Sequence, residues 1–158
     1  MSQILIPISN WLHSLSTVIF IGYYLLLSVI CLPALLKKEF ESEGRLALSE
    51  ISKRSRVWLY IALLIFLITG IYLMIVDPNY LGIGNFGNLW GILMLVKHIL
   101  ILGMIAMGFW FNAILRVGPL MSSNTGYTLA VARFRWYSNA MTISGVLVLL
   151  LTALAQAE

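Results

Sequence analysis

Long apolar runs alternate with short polar segments along this chain, and the length of those runs, more than any amphipathic period within them, predicts the fold. Runs free of acidic residues fall at about 11–36, 57–76, 88–115 and 137–157. Each reaches or exceeds the roughly 20 residues that a helix needs to cross a 30 Å hydrocarbon core. Helices satisfy their own backbone hydrogen bonds in lipid, so the pattern predicts an all-α, integral membrane four-helix bundle with up-down topology. Residues 1–158 are expected to form a single transmembrane domain. The N-terminal stretch MSQILIPISNW lacks the basic region of a signal peptide, so the first span is expected to be retained.

The segments between the runs carry different chemistry. Residues 37–56, KKEFESEGRLALSEISKRSR, are rich in both charge signs and are expected to extend the first helical hairpin beyond the membrane. Between the second and third runs, DPNYLGIGNFGN reads as turn punctuation placed to lid the outer end. From Pro119, PLMSSNTGYTLAVARFRW mixes apolar and polar residues and is expected to lie partly in the interface. Trp11, Trp58, Tyr60, Tyr80, Trp90, Trp110, Trp136 and Tyr137 cluster near run ends as interfacial belts.

Composition agrees with the runs: 61% of residues are hydrophobic, 10% are charged, and mean hydropathy is +0.96. The net charge of +4 does not imply a nucleic-acid partner, because its placement encodes topology. Six of ten basic residues (Lys37, Lys38, Arg45, Lys53, Arg54, Arg56) lie between the first and second runs, and Arg116, Arg133 and Arg135 lie between the third and fourth. The positive-inside rule then predicts that both basic segments are cytoplasmic and both termini outside, in a plasma or inner membrane. The lone Cys31 excludes an internal disulfide and a CxxCH attachment site for covalent haem.

One basic residue remains, Lys97, and it sits inside the third run beside His98 in LWGILMLVKHILILGMIAMGFW. An ionisable group in hydrocarbon is costly and is expected to face the bundle interior or a polar cavity. The other histidine, His13, belongs to the first run, next to Trp11; a neutral interfacial imidazole there needs no ligand. His13 precedes Pro33 by 20 residues and His98 precedes Pro119 by 21, while LITG ends at Gly70 and TISG at Gly145. These near-regularities suggest a parallel duplication of a two-helix hairpin, which would give the histidines similar depths near the outer face. In an up-down bundle the first and third spans are diagonal, their axes roughly 11–14 Å apart. Two inward imidazoles of about 6 Å reach, metal bond included, would meet there at one metal. That arrangement suits axial ligation of a haem better than a bare ion, which stays under-coordinated unless Met94 joins. Gly22, Gly70, Gly91 and Gly145 offer close packing or room for a flat group. Met74, Met104 and Met107 are read as gap fillers, and Ser14, Ser16, Thr17, Thr69, Thr142 and Ser144 as hydroxyls bonded to helix carbonyls.

LHSLSTVIFIGYYLLLSVICLPAL and WGILMLVKHILIL together resemble stretches of the CopD-domain (copper resistance D-like) membrane proteins, which are related to the HemJ-type protoporphyrinogen oxidases. The likeness rests on the Leu-His pair at His13, Phe20 where tryptophan is usual, Gly22 and Pro33, then Gly91, Met94 and Lys97, with Arg56 and LITG between. It implies copper handling or haem chemistry, with His13 and Lys97 at the shared positions. The chain lacks both a methionine- or histidine-rich outer segment and the Leu-Pro-Arg that follows the first-helix glycine in HemJ. His98 beside the lysine turns the expectation toward bound haem b. The expected function is thus a haem-b electron-transfer or accessory subunit, more than a stand-alone enzyme, with bis-His haem near the outer face and Lys97 on a propionate. A copper permease-like protein and a HemJ-like porphyrin-oxidising enzyme are the alternatives. Expected partners are the lipid bilayer and either another membrane protein or further copies of the chain.

Overall fold

The structure, a computed structural model, describes residues 2–35, 41–82, 87–113 and 127–157. The first span is α1 (Ser2–Leu26), a π-helical turn (Leu27–Cys31) and the short α2 (Leu32–Leu35). Three long helices follow: α3 (Glu41–Val76), α4 (Leu89–Ala113) and α5 (Tyr127–Ala155). Among the described residues, four stretches are long and apolar enough to cross a membrane: Ile4–Leu35, Leu46–Val76, Leu89–Trp110 and Val131–Ala155. The protein is an all-helical membrane bundle, as its apolar runs predict.

Three boundaries depart from expectation. The first helix starts at Ser2 instead of about 11, with Pro7 inside it. Proline removes only one helical donor this near the N-terminus, and Ile4, Leu5, Ile6 and Ile8 present an exposed apolar surface suited to lipid. The second helix begins at Glu41, so the charged segment is helical as expected, and its 36 residues extend about 54 Å, well beyond the hydrocarbon core. The fourth begins at Tyr127, where an interfacial segment was expected. Buried Phe134, Tyr137 and Met141 recur there at helical spacing, so the mixed polarity is that of a helix face. Residues 36, 37–40, 83–86 and 114–126 of the predicted runs and connections lie outside the described residues.

Helix α1 packs along α3 and α5, and α4 packs along α5, whereas α3 and α4 share little direct backbone packing. The first and third spans are therefore diagonal, as expected, with one seam of the bundle loosely closed. Near its basic end that seam is bridged by stacked Tyr60 and Phe109 rings, 6.4 Å between centroids. Five residues apart, Leu27 and Leu32 would diverge on an α-helix. The wider π-helical turn, with Leu32 N–H donating to Leu27 C=O, lets both be almost fully buried.

Polar groups pin α1 to α5. The buried Tyr24 and Tyr137 hydroxyls are hydrogen-bonded at 2.8 Å, Thr142 donates to the Tyr24 carbonyl at 2.9 Å, and Ser28 donates to Asn139 Oδ1 at 2.6 Å. Interhelical hydrogen bonds of this kind supply part of the association that hydrophobicity cannot drive within lipid. Glycine allows close approaches between helices: Gly44 lies against the Leu35 backbone and Gly145 against Ile21. Gly22, expected in the same role, faces open space.

The connection from α3 to α4 is a hydrogen-bonded turn in its described part. Tyr80 N–H donates to Asp77 C=O, and Asn79 N–H donates to Asp77 Oδ1 at 2.9 Å. Asn88 then caps α4 by accepting from Gly91 N–H at 2.9 Å, while its amide donates back to Asn79 C=O at 3.0 Å.

Candidate cofactor site

His13 is the twelfth residue of α1 and His98 the tenth of α4, on diagonal helices and both in the half of the bundle where these helices begin. Both are half-buried, as is Lys97.

His13 leans on α3. Its ring stacks on Phe66 with centroids 4.5 Å apart, and Nδ1 lies 3.0 Å from Thr69 Oγ1. A Cβ on Gly70 would come within 3.1 Å of His13 Cε1, so the glycine makes room for the ring. Thr69 has one proton and donates it to Ile65 C=O at 2.6 Å, so it accepts at its remaining lone pairs from His13 Nδ1–H. The ring also hydrogen-bonds the Phe66 backbone, so His13 is held on α3 by two polar contacts besides the stacking. The hydroxyl of Thr69, expected to serve only helix carbonyls, is thus also the partner that orients His13; the LITG tetrad carried the signal.

His98 is engaged by a different bond. Its Nδ1 is 2.6 Å from Met94 C=O on its own helix, and a carbonyl can only accept, so Nδ1 carries the proton. Ligating histidines commonly commit one ring N–H to such an acceptor and coordinate through the other nitrogen. The hairpin duplication does not extend to these contacts. Ser144, the counterpart of Thr69 in TISG, is not the partner of His98, and Gly145 meets Ile21 instead of an imidazole.

On α4 the buried Trp90, Ile101 and Met104 mark the inward face, while Ile92, Leu95, Val96, Ile99 and Leu102 are exposed. At about 100° per residue, Lys97 points about 40° to one side of Ile101 and His98 about 60° to the other. Trp90 and Met104 lie on the Lys97 side of Ile101, so Lys97 stands within the inward stripe and His98 at its edge, the reverse of the expectation that His98 faces the centre with Lys97 on its flank. Lys97 is within electrostatic range of His13 and of Asp77 at the end of α3, yet it forms no ion pair among the described residues.

Directly below these groups lies an apolar crevice lined by Thr17, Phe20 and Ile21 of α1, Leu63 and Phe66 of α3, Ile101, Met104 and Ile105 of α4, and Val148 of α5. Thr17 contributes no polar surface because its hydroxyl is turned to His13 C=O at 2.7 Å. The enclosed part holds about 10 Å³ for a water-sized sphere, within about 300 Å³ that includes the open mouth.

The protein thus offers two imidazole nitrogens, a cation and an apolar floor. No group of three His, Cys, Asp or Glu side chains able to hold a metal ion occurs among the described residues. A haem brings four nitrogens of its own and would ask the protein for two. The enclosed volume is smaller than a porphyrin, and α3 and α4, the pair with little direct packing, would have to part to admit one. No family model matches the chain, and neither the curated proteins nor the solved structures provide a match.

Proposed function

We propose that this is an integral membrane haem-b-binding protein of the CopD-like type, serving as an electron-transfer or accessory subunit, with His13 and His98 as axial ligands. The observation that carries the reading is that the two imidazoles lie on diagonal helices and each engages an acceptor through Nδ1. Haem iron would supply one-electron redox chemistry. The chain's own residues do the rest. Thr69 and the Met94 carbonyl hold the two rings through Nδ1, and Phe66 and Gly70 fix the plane of His13. Lys97, without an ion pair among the described residues, offers its ammonium to a propionate, and that pairing offsets part of the cost of its burial.

Purified protein is expected to be red, with a Soret band and a stoichiometric b-type haem by pyridine extraction. A colourless preparation that binds copper instead would replace this reading with that of a copper permease-like protein.

The same reading puts the histidine end outside and the basic ends in the cytoplasm, from the nine basic residues that flank the spans on one side. A cysteine introduced at exposed Asn79 should react with impermeant maleimide in intact cells, and one at exposed Ser49 should not. The reverse labelling pattern would invert the protein in the membrane.

A further inference from the structure

Helix α5 has two faces. Tyr137, Met141 and Val148 are buried inside the bundle. On the other side Trp136, Asn139, Ile143, Val146 and Leu150 are exposed, and they follow one another at alternating steps of three and four residues. That is the repeat by which one helix seats along another. The four apolar members suit lipid as well as they suit a helix, but Asn139 does not. It is the ninth residue of the Val131–Ala155 span, about 12 Å inside its end. Its Oδ1 accepts one hydrogen bond, from Ser28 Oγ at 2.6 Å, and its side-chain N–H groups have no partner among the described residues. Hydrocarbon offers them none, and an unsatisfied donor there is costly.

Whatever covers Asn139 must accept its N–H, and an amide with free donors and a spare lone pair on oxygen is complementary to itself. Copies of one chain insert with one orientation. A two-fold axis along the membrane normal therefore sets α5 parallel to its counterpart, and each residue on the axis side meets its own equivalent. We propose that the exposed stripe from Trp136 to Leu150 is the interface with a second copy of this chain, in which the two Asn139 amides each donate one N–H to the other's Oδ1. Ile143, Val146 and Leu150 close the apolar part of the seam. Arg133 and Arg135, exposed near the start of the span, stand beside the stripe and reach the headgroups. None of the candidate cofactor residues takes part, so the interface stands or falls apart from the haem reading.

The test uses the full-length protein in phosphatidylcholine vesicles, with Cys31→Ser removing the native thiol. Cysteine at Val146 or Leu150 should form a disulfide-linked dimer under iodine, whereas Leu64→Cys, also exposed but on α3, should stay monomeric. Energy transfer between copies labelled at exposed Ser49→Cys, titrated with lipid, measures association. Asn139→Leu should raise the protein-to-lipid ratio at half-association about tenfold. Asn139→Gln, which keeps the amide, should restore it, and Ser28→Ala should leave it near that of the parent. Val146→Cys linking no better than Leu64→Cys, or Asn139→Leu associating like the parent, would overturn the interface. A loss in Ser28→Ala equal to that in Asn139→Leu would overturn it too, by assigning the amide to its own chain. In native membranes, Val146→Cys linked to a different protein instead of to itself would overturn the second copy as occupant.

Discussion

Alanine at either His13 or His98 is expected to leave the protein folded and in the membrane but to remove a six-coordinate haem, lowering its content or converting it to a high-spin form. Neither imidazole carries the packing of the bundle: both are half-buried, whereas the buried core is built from Tyr24, Leu27, Leu32, Ile101, Met104, Phe134, Tyr137 and Met141. Thr69→Val should act through His13 alone. It removes the acceptor of Nδ1–H, and changes of this kind cost about 10–100-fold in affinity where a histidine is a ligand. Absorption spectra and haem content of the three variants, purified in parallel, decide it. Spectra unaltered in both histidine variants would dismiss them as ligands.

The second large effect concerns the fold. Gly44→Ala should lower thermal stability by roughly 5–10 °C, equivalent to about 2–3 kcal/mol for a chain of this size. Alanine in an open helix would instead be favourable by about 1 kcal/mol, so the sign alone is informative. The reason is local. A Cβ on Gly44 meets the Leu35 carbonyl and Cα, which are backbone and cannot turn aside as a side chain would. The start of α3 must then lift from α2, loosening Leu48 and Leu32, both 1% exposed beneath it. Thermal unfolding in detergent, followed by aggregation or by cysteine accessibility at Cys31, measures the shift. A Gly44→Ala protein as stable as the parent would mean that α2 and α3 do not approach so closely.

The four spans and their diagonal order were legible because lipid imposes them. Twenty apolar residues without a charge have few structural options in a bilayer. What the runs could not reveal was whatever depended on partners far along the chain. Tyr137 reads as an interfacial aromatic, but it is buried and its hydroxyl meets that of Tyr24 because α1 packs on α5. The π-helical turn left no mark in LSVIC, since its cause is the joint burial of Leu27 and Leu32. Helix α5 was shortened at its start because arginines at 133 and 135 resembled a loop boundary, although both lie exposed on the helix whose opposite side buries Phe134 and Tyr137.

At the site, hydropathy identified His98 and Lys97 as costly residues and the spacing placed His13 at a similar depth. The ring contacts needed geometry. Thr69 stood 56 residues from His13, and its place in LITG marked it without showing which ring it serves. Gly70 was visible as a small residue in LITG, yet the ring it accommodates belongs to another helix.

Electron paramagnetic resonance of the oxidised protein, purified from its own membranes, tests the haem assignment most directly. Two neutral imidazoles bound through Nε2 predict a low-spin ferric signal that disappears in both His13→Ala and His98→Ala. A protein with no ferric haem signal, or one whose signal survives in both variants, would contradict it.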